Sequence, residues 1–401
     1  MFAFIRRRCD TLLADPALAR YGAVLAAMQL LTLAWMVKRH VWHWLARGGE
    51  VICWPTLPAC AAWRVLEPGQ IVAWLALITL LGLGAGAAFL RRHRAAWWLL
   101  ALNQLLLLAL IAQDFRLRRN QHYMLSFVIA AYLLMPDPRR ALRYLLVLFY
   151  VWAGTLKLNK EWLSGAALYG PVPVSGFALR LACGYVVLLE LFLIWGLLSK
   201  SRRLFLISLI QLLLFELASF PIVGFFYPLL MAGLMSLFWL ARQEEERPLR
   251  LLGERHSTYA LLIGFSALQL VPYLFPGDTA ITGEGRLFAL HMFDAQVECA
   301  SQAVLRNGEQ IIQTYDLRRG LAIRVACDPA VALARGKTLC AHYPAAPWRI
   351  DLSLESRRSS DPSRHRVVSI ADFCANVPEY KWWKHNAWIQ IDSSGPGSPH
   401  S

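Results

Sequence analysis

The sequence lacks most of the short motifs by which soluble enzymes are recognised. It has no glycine-rich nucleotide loop, no Ser-x-x-Lys, no G-x-S-x-G and no internal repeat. Its eight cysteines and ten histidines form no C-x-x-C or H-x-x-x-H, which argues against a zinc or other metal site. Charge is scarce at 17% of residues, and acidic charge scarcer still, with 26 Asp and Glu against 41 Lys and Arg. The resulting +15 is not gathered on one face of a folded domain, so no nucleic-acid surface is expected.

What the chain has instead is apolar residues, 57% of the total, in long runs through the first 276 positions. That share exceeds the 45–50% usual for soluble domains. A helix needs about 20 apolar residues to cross the hydrocarbon core. The runs predict an all-α polytopic membrane domain over 1–276 with about nine transmembrane helices, near 20–37, 70–90, 95–113, 122–135, 141–158, 178–198, 204–219, 222–240 and 258–275. Ser219-Phe220-Pro221 is expected to separate the seventh and eighth, because proline cannot continue the hydrogen-bond ladder. Arg6, Arg7 and Arg8 precede the first run and no small-residue cleavage site follows it, so the first helix reads as a retained signal anchor.

Basic loops orient the helices. Arg6–Arg8, then Arg91, Arg92 and Arg94, then Arg139 and Arg140, then Lys200, Arg202 and Arg203, and finally Arg242 to Arg250 each follow an even number of crossings. The positive-inside rule then puts the N-terminus in the cytoplasm and residues 277–401 outside, at an inner or plasma membrane. Arg116, Arg118 and Arg119 break the rule, being basic but outside, and could hold an anionic group near the outer surface. Six cysteines fall outside, where disulfides persist. Cys53–Cys60 makes a plausible local pair, and Cys299, Cys327, Cys340 and Cys374 allow three connectivities. Cys9 and Cys183 are left unpaired.

From Gly277 the pattern changes to short alternating stretches, predicting a small extracytoplasmic β-rich domain over 277–392 and a disordered tail over 393–401. Strands are expected at 296–305, 321–326 and 366–370, with a hairpin turn at Arg306-Asn307-Gly308.

Ionisable residues inside spans are costly and mark candidate sites. Lys157 ends the fifth span and His122 opens the fourth. The short turn Pro136 to Arg140 joins these two helices, so an antiparallel hairpin would bring both residues to the outer level. Burial at an apolar helix end disfavours the charged lysine, which makes Lys157 a candidate general base. Glu190 lies mid-span in the sixth helix and Glu216 toward the outer end of the seventh. Either could partner a buried base. A structural reading also exists: a snorkelling lysine, neutral hydrogen-bonded glutamates, and Trp162 and Tyr169 as members of an interfacial aromatic belt.

The segment Tyr150 to Gly165, YVWAGTLKLNKEWLSG, closely resembles the Y-x-x-A-G-x-x-K-L-x-x-x-W-x-x-G signature of vitamin K-dependent gamma-carboxylase and its prokaryotic relatives, the HTTM-domain proteins. Asn120-Gln121-His122 resembles that family's Asn-His element, Leu-Leu-Glu190-Leu its Leu-Leu-Asp-Leu, and 286–294 (RLFALHMFD) the opening of its lumenal β region. The resemblance spans roughly residues 20–310. It implies a reduced quinone of the vitamin K or menaquinone type, oxygen and carbon dioxide as co-reactants, and no metal. Lys157 would be the base that deprotonates the hydroquinone, and His122 would orient or stabilise the reacting oxygen. Asn120, Gln121, Tyr150, Gly154, Trp162, Glu190 and Glu216 would shape the cofactor site. Epoxidation would drive proton abstraction and carboxylation of a secreted peptide or protein. The chain departs from the family in lacking evident counterparts of its propeptide- and glutamate-binding regions. The alternative is a non-catalytic membrane partner for the maturation, immunity or export of a secreted peptide.

Overall fold

The computed structural model describes residues 2–46, 50–57, 59–63, 66–168, 170, 172–240, 252–290, 295–343 and 347–391. The basic stretch at 242–250, Tyr169, the end of the 286–294 segment and the tail from 393 lie outside the described residues. The helical part comprises α1 (Phe2–Ala14), α2 (Pro16–Lys38), the short α3 (Trp42–Leu45), α4 (Pro68–Leu90), α5 (Ala95–Ala112), α6 (Asn120–Leu134) and α7 (Pro138–Leu156). It continues with α8 (Lys160–Ser164), α9 (Gly176–Leu191) with a 3-10 extension to Leu198, α10 (Arg202–Val223), α11 (Phe226–Leu240) and α12 (Leu252–Leu270).

Every predicted span falls on a helix, but six helical segments among the described residues are both long and apolar enough to cross a membrane. They are Pro16–Lys38, Pro68–Leu90, Ala95–Ala112, Gly176–Leu198, Arg202–Val223 and His256–Leu274. The other three stretches differ for definable reasons. Helices α6 and α11 have only 15 residues each, about 22 Å at the usual rise. The first two turns of α7 carry Arg139, Arg140 and Arg143.

The expected break at Pro221 is not there. Helix α10 runs through Pro221 to Val223 and ends at Gly224, whose φ of 75° suits a residue without Cβ. The proline sits so near the C-terminus that it interrupts one late bond, and the glycine makes the turn.

Helix α2 lies centrally, packed on α4, α5, α6 and α11. Its Gly22 faces Tyr132 and Phe89 so closely that a Cβ would stand 2.4 and 2.7 Å from them. Gln29 of α2 bonds Asn103 at 2.7 Å and Gln104 at 3.1 Å, and Gln104 donates to Ser126 at 2.9 Å. Buried amides find one another here, as they must where water is absent.

The C-terminal part is built on an antiparallel sheet ordered β2-β1-β3-β4, with β1 Val297–Asn307, β2 Gln310–Asp316, β3 Trp348–Arg358 and β4 His365–Ile370. The predicted hairpin turns at Gly308, φ 59°. Strand β1 alternates buried and less buried residues, so one face packs inward. Helices α13 (Thr279–Thr282), α14 (Ile323–Ala326) and α15 (Pro329–His342) complete the domain. The strand expected at 321–326 is therefore a helical turn. Its pattern is too short to fix a period, and Asp328-Pro329 behind it starts α15, with the Asp328 carboxylate accepting from Ala330 N at 3.0 Å.

Three disulfides form: Cys53–Cys60, Cys299–Cys327 and Cys340–Cys374, while Cys9 and Cys183 remain free and buried. They fit an extracytoplasmic domain. The two parts are tied by Glu161, which accepts backbone N–H bonds from Gln296 and Ser360 at 3.0 and 3.1 Å, and by Arg335, which grips Glu50 at 2.5 and 2.8 Å.

Candidate functional site

Tyr150, Ala153, Gly154 and Lys157 fall at i, i+3, i+4 and i+7, which places them on one face of α7. That face is buried against α9. The Cβ that Gly154 lacks would stand 3.0 Å from the Cβ of Glu190 and equally near Leu191. The glycine thus allows the two backbones to approach until Lys157, 1% exposed, reaches Glu190, also 1% exposed. The lysine Nζ lies 2.5 Å from both carboxylate oxygens. It also caps the C-terminus of α7, where the helix dipole favours a cation. The rings of Trp162 and Phe215 flank Nζ at 5.1 and 5.9 Å.

A second carboxylate stands beside this pair. Glu216 of α10 accepts the Tyr150 hydroxyl at 2.6 Å through Oε1, and its Oε2 is buried without a partner. Tyr150, Gly154, Lys157, Trp162, Glu190 and Glu216 thus form one connected cluster, assembled from α7, α8, α9 and α10.

His122, Asn120 and Gln121 lie elsewhere. His122 is 4% exposed, with its ring edge-on to Trp35 at 5.2 Å. Its Nδ1 is 2.8 Å from the Leu117 carbonyl, which can only accept, so Nδ1 carries the hydrogen. Its Nε2 has no hydrogen-bond partner. His122 and Asn120 line a cavity of about 330 Å³ between the ends of α5 and α6 and the C-terminal domain, and Lys157 is not among its lining residues. Gln121 instead packs toward Leu31, Thr32, Phe226 and Leu230. Helices α6 and α7 do pack together, with His122 and Lys157 at the same end of the hairpin. Their side chains have different neighbours.

The three arginines that break the charge rule also separate. Arg116 is held by Asp114 at 2.9 and 2.8 Å and stacks on Trp44 at 4.8 Å. Arg118 pairs with Asp328 at 3.1 Å. Arg119 lies 5.6 Å over Trp35, and its Nε is buried without a partner. Arg286, Arg324 and Asp328 join the cavity wall from the C-terminal part. No short-range pattern marks these three, because they meet Arg118 and Arg119 only through the docking of the two parts.

Together these features define a helical membrane protein with a disulfide-bonded domain built on a small antiparallel sheet, a buried ionic cluster and a cavity lined in part by arginines. No protein-family model, curated protein or solved structure matches the chain. Among the described residues no group of His, Cys, Asp and Glu is arranged to hold a metal ion.

Proposed function

We propose that the chain is a membrane enzyme similar to the vitamin K-dependent gamma-carboxylases, in which reduced quinone and oxygen drive proton abstraction and carboxylation of a secreted peptide. Lys157 is the base. The observation that carries the reading is the placement of its Nζ, 2.5 Å from both oxygens of Glu190 in an interior from which water is excluded. Burying two opposite charges is costly even when they are paired. Ionisable groups at membrane depth mark sites of function by default. In this role Glu190 orients Lys157 and takes up its proton as the contact parts, which leaves the amine free to act as the base, and Tyr150 fixes Glu216. The chain crosses the membrane nine times, with the N-terminus cytoplasmic and the sheet domain extracytoplasmic, where its disulfides persist.

The donor set suits a hydroquinone better than the space does. Glu216 Oε2 is a buried acceptor with no partner, and Trp162 and Phe215 offer flat apolar walls. The 330 Å³ cavity, however, is lined by His122 and not by Lys157. The reading requires that the contact between Nζ and Glu190 part to admit a naphthoquinone.

The deciding assay is epoxidation of reduced menaquinone or vitamin K by purified protein in detergent under oxygen. Wild type should form epoxide and Lys157→Ala should form none. Equal activity of the two removes Lys157 as the base, and no product from either removes the enzymatic reading. The closed contact between Lys157 and Glu190 favours a second reading, a non-catalytic partner for maturation, immunity or export of a secreted peptide. Co-purification of a peptide regardless of the residue at 157 would support it.

A further inference from the structure

One side chain closes a short loop of the C-terminal domain. Asn386 Oδ1 accepts from Lys381 N at 2.7 Å, and Asn386 Nδ2 donates to the Lys381 carbonyl at 3.0 Å. Between these contacts the chain turns at Trp382 and Trp383, so both indoles are carried to the tip. The loop hangs from Glu284, a carboxylate wholly removed from solvent. Glu284 Oε1 accepts from Asn386 N and Nδ2, each at 2.8 Å, and Oε2 lies 2.7 Å from His385 Nδ1. The next residue, Gly285, has φ 70° and packs against Pro272 and Phe275 where a Cβ would not fit. Pro272 belongs to the 3-10 turn Val271–Leu274, which ends the membrane-length segment His256–Leu274. The tryptophan loop is therefore fastened at the C-terminal end of α12.

The surface there is aromatic and exposed. Trp382 stands edge-on to Phe288 at 5.9 Å and to Trp383 at 5.6 Å. All three rings are exposed, Trp383 by 60%. At the same end of α12, Leu270 is exposed and Leu274 keeps 81% of its surface open. Leaving such apolar area in water is costly, and a contiguous patch of it marks an interaction surface. Lys381 and Lys384 flank the two indoles. Indoles with one polar N–H, beside lysines with apolar stems and charged heads, match the chemistry of the membrane–water boundary. A peptide would need a concave seat, whereas a turn tip is convex and neither tryptophan lines the 330 Å³ cavity.

We infer that Trp382 and Trp383 form an interfacial anchor that enters the boundary between headgroups and acyl chains in the leaflet at the C-terminal end of α12. Lipid covers this aromatic face because the face continues onto the lipid-exposed end of that helix. The anchor adds a tether through the bilayer to those that Glu161 and Arg335 make through protein, and it holds the sheet domain at a fixed height over the helices. It is separate from the Lys157 cluster and does not depend on the enzymatic reading.

The test uses full-length protein in nanodiscs of phosphatidylcholine and phosphatidylglycerol, with the environment-sensitive fluorophore NBD attached at Trp383→Cys or, separately, at Lys384→Cys. Labelled wild type gives the background from Cys9 and Cys183, both of which are buried. Nitroxide quenchers are placed on the lipid headgroup, at a shallow acyl carbon or near the chain end, and iodide is the quencher in water. At 383 the emission should shift to the blue and be quenched most by the shallow acyl nitroxide. At 384 the headgroup nitroxide should quench most, and iodide should quench 384 more than 383. The second position keeps the test open should one variant fold poorly. Quenching of both labels by iodide and by no lipid nitroxide would place the tip in water. Blue-shifted emission that no lipid nitroxide quenches would place it against protein, a secreted peptide or a second copy of the chain. Strongest quenching from the chain end at both positions would place it in the hydrocarbon core. Each of these three results would overturn the inference.

Discussion

Neutralising one partner of the Lys157–Glu190 pair should be far more damaging than neutralising both. Each side chain is 1% exposed and Nζ bonds both carboxylate oxygens at 2.5 Å, so a single change strands a charge where no water can reach it. Removing one member of a buried pair typically costs about 3–5 kcal/mol, whereas an apolar replacement of both is often neutral or better. Lys157→Met leaves Glu190 facing a second carboxylate, Glu216, across Tyr150, so its cost should sit at the upper end of that range. Glu190→Gln leaves Lys157 with an amide oxygen and the faces of Trp162 and Phe215, which should place it nearer about 3 kcal/mol. The double variant should recover most of the loss, with a coupling of about 2 kcal/mol or more. Thermal melts of the four proteins in one detergent, supported by denaturant titration of detergent-solubilised protein, would give the cycle. Additive losses, or single variants within about 1 kcal/mol of wild type, would mean that the two groups do not interact as an ion pair, and the base assignment would lose its partner.

Gly154→Ala should cost about 1–3 kcal/mol by overpacking, because its Cβ would meet Glu190 and Leu191 at 3.0 Å, and it should depress epoxidation as well, since Glu190 moves with α9. Reducing Cys299–Cys327 or Cys340–Cys374, which enclose separations of 28 and 34 residues, should each destabilise the sheet domain by about 3–4 kcal/mol, seen as a lower melting temperature in reductant. Burial raises the pKa of Asp328, against the pull of Arg118, so the native state holds this proton more tightly than the unfolded chain and the ionised form carries a cost above the raised value. Arg118 keeps 19% of its side chain exposed and is not stranded as Lys157 would be; Asp328→Asn, which keeps the helix cap, should therefore be more stable than wild type at pH 7, and the difference should shrink as pH falls from the raised pKa toward that of the unfolded chain; melts between pH 4 and 8 would show it. Glu161→Ala should loosen the C-terminal domain from the helices, because it abandons the N–H groups of Gln296 and Ser360, and limited proteolysis should then cut faster near 295 and 360.

Much of this molecule is written in local sequence. Apolar runs specify helices because lipid-facing backbone can be satisfied only within its own segment, and all nine expected segments are helical. The spacing of Tyr150, Gly154 and Lys157 determines a shared helix face, and Asn307-Gly308 determines a hairpin turn. Short-range periodicity does not reach further. It cannot tell a proline near a helix end from a break, which is why α10 continues to Gly224, nor a six-residue apolar stretch that forms a strand from one that forms a turn of helix, as at 321–326. The choice among three disulfide connectivities, the 2.5 Å meeting of Lys157 with Glu190, the removal of His122 to a separate cavity and the gathering of Arg118, Arg119, Arg286 and Arg324 were decided only by tertiary packing. Each depends on which elements far apart in sequence lie side by side, and no pattern within one element encodes that distance.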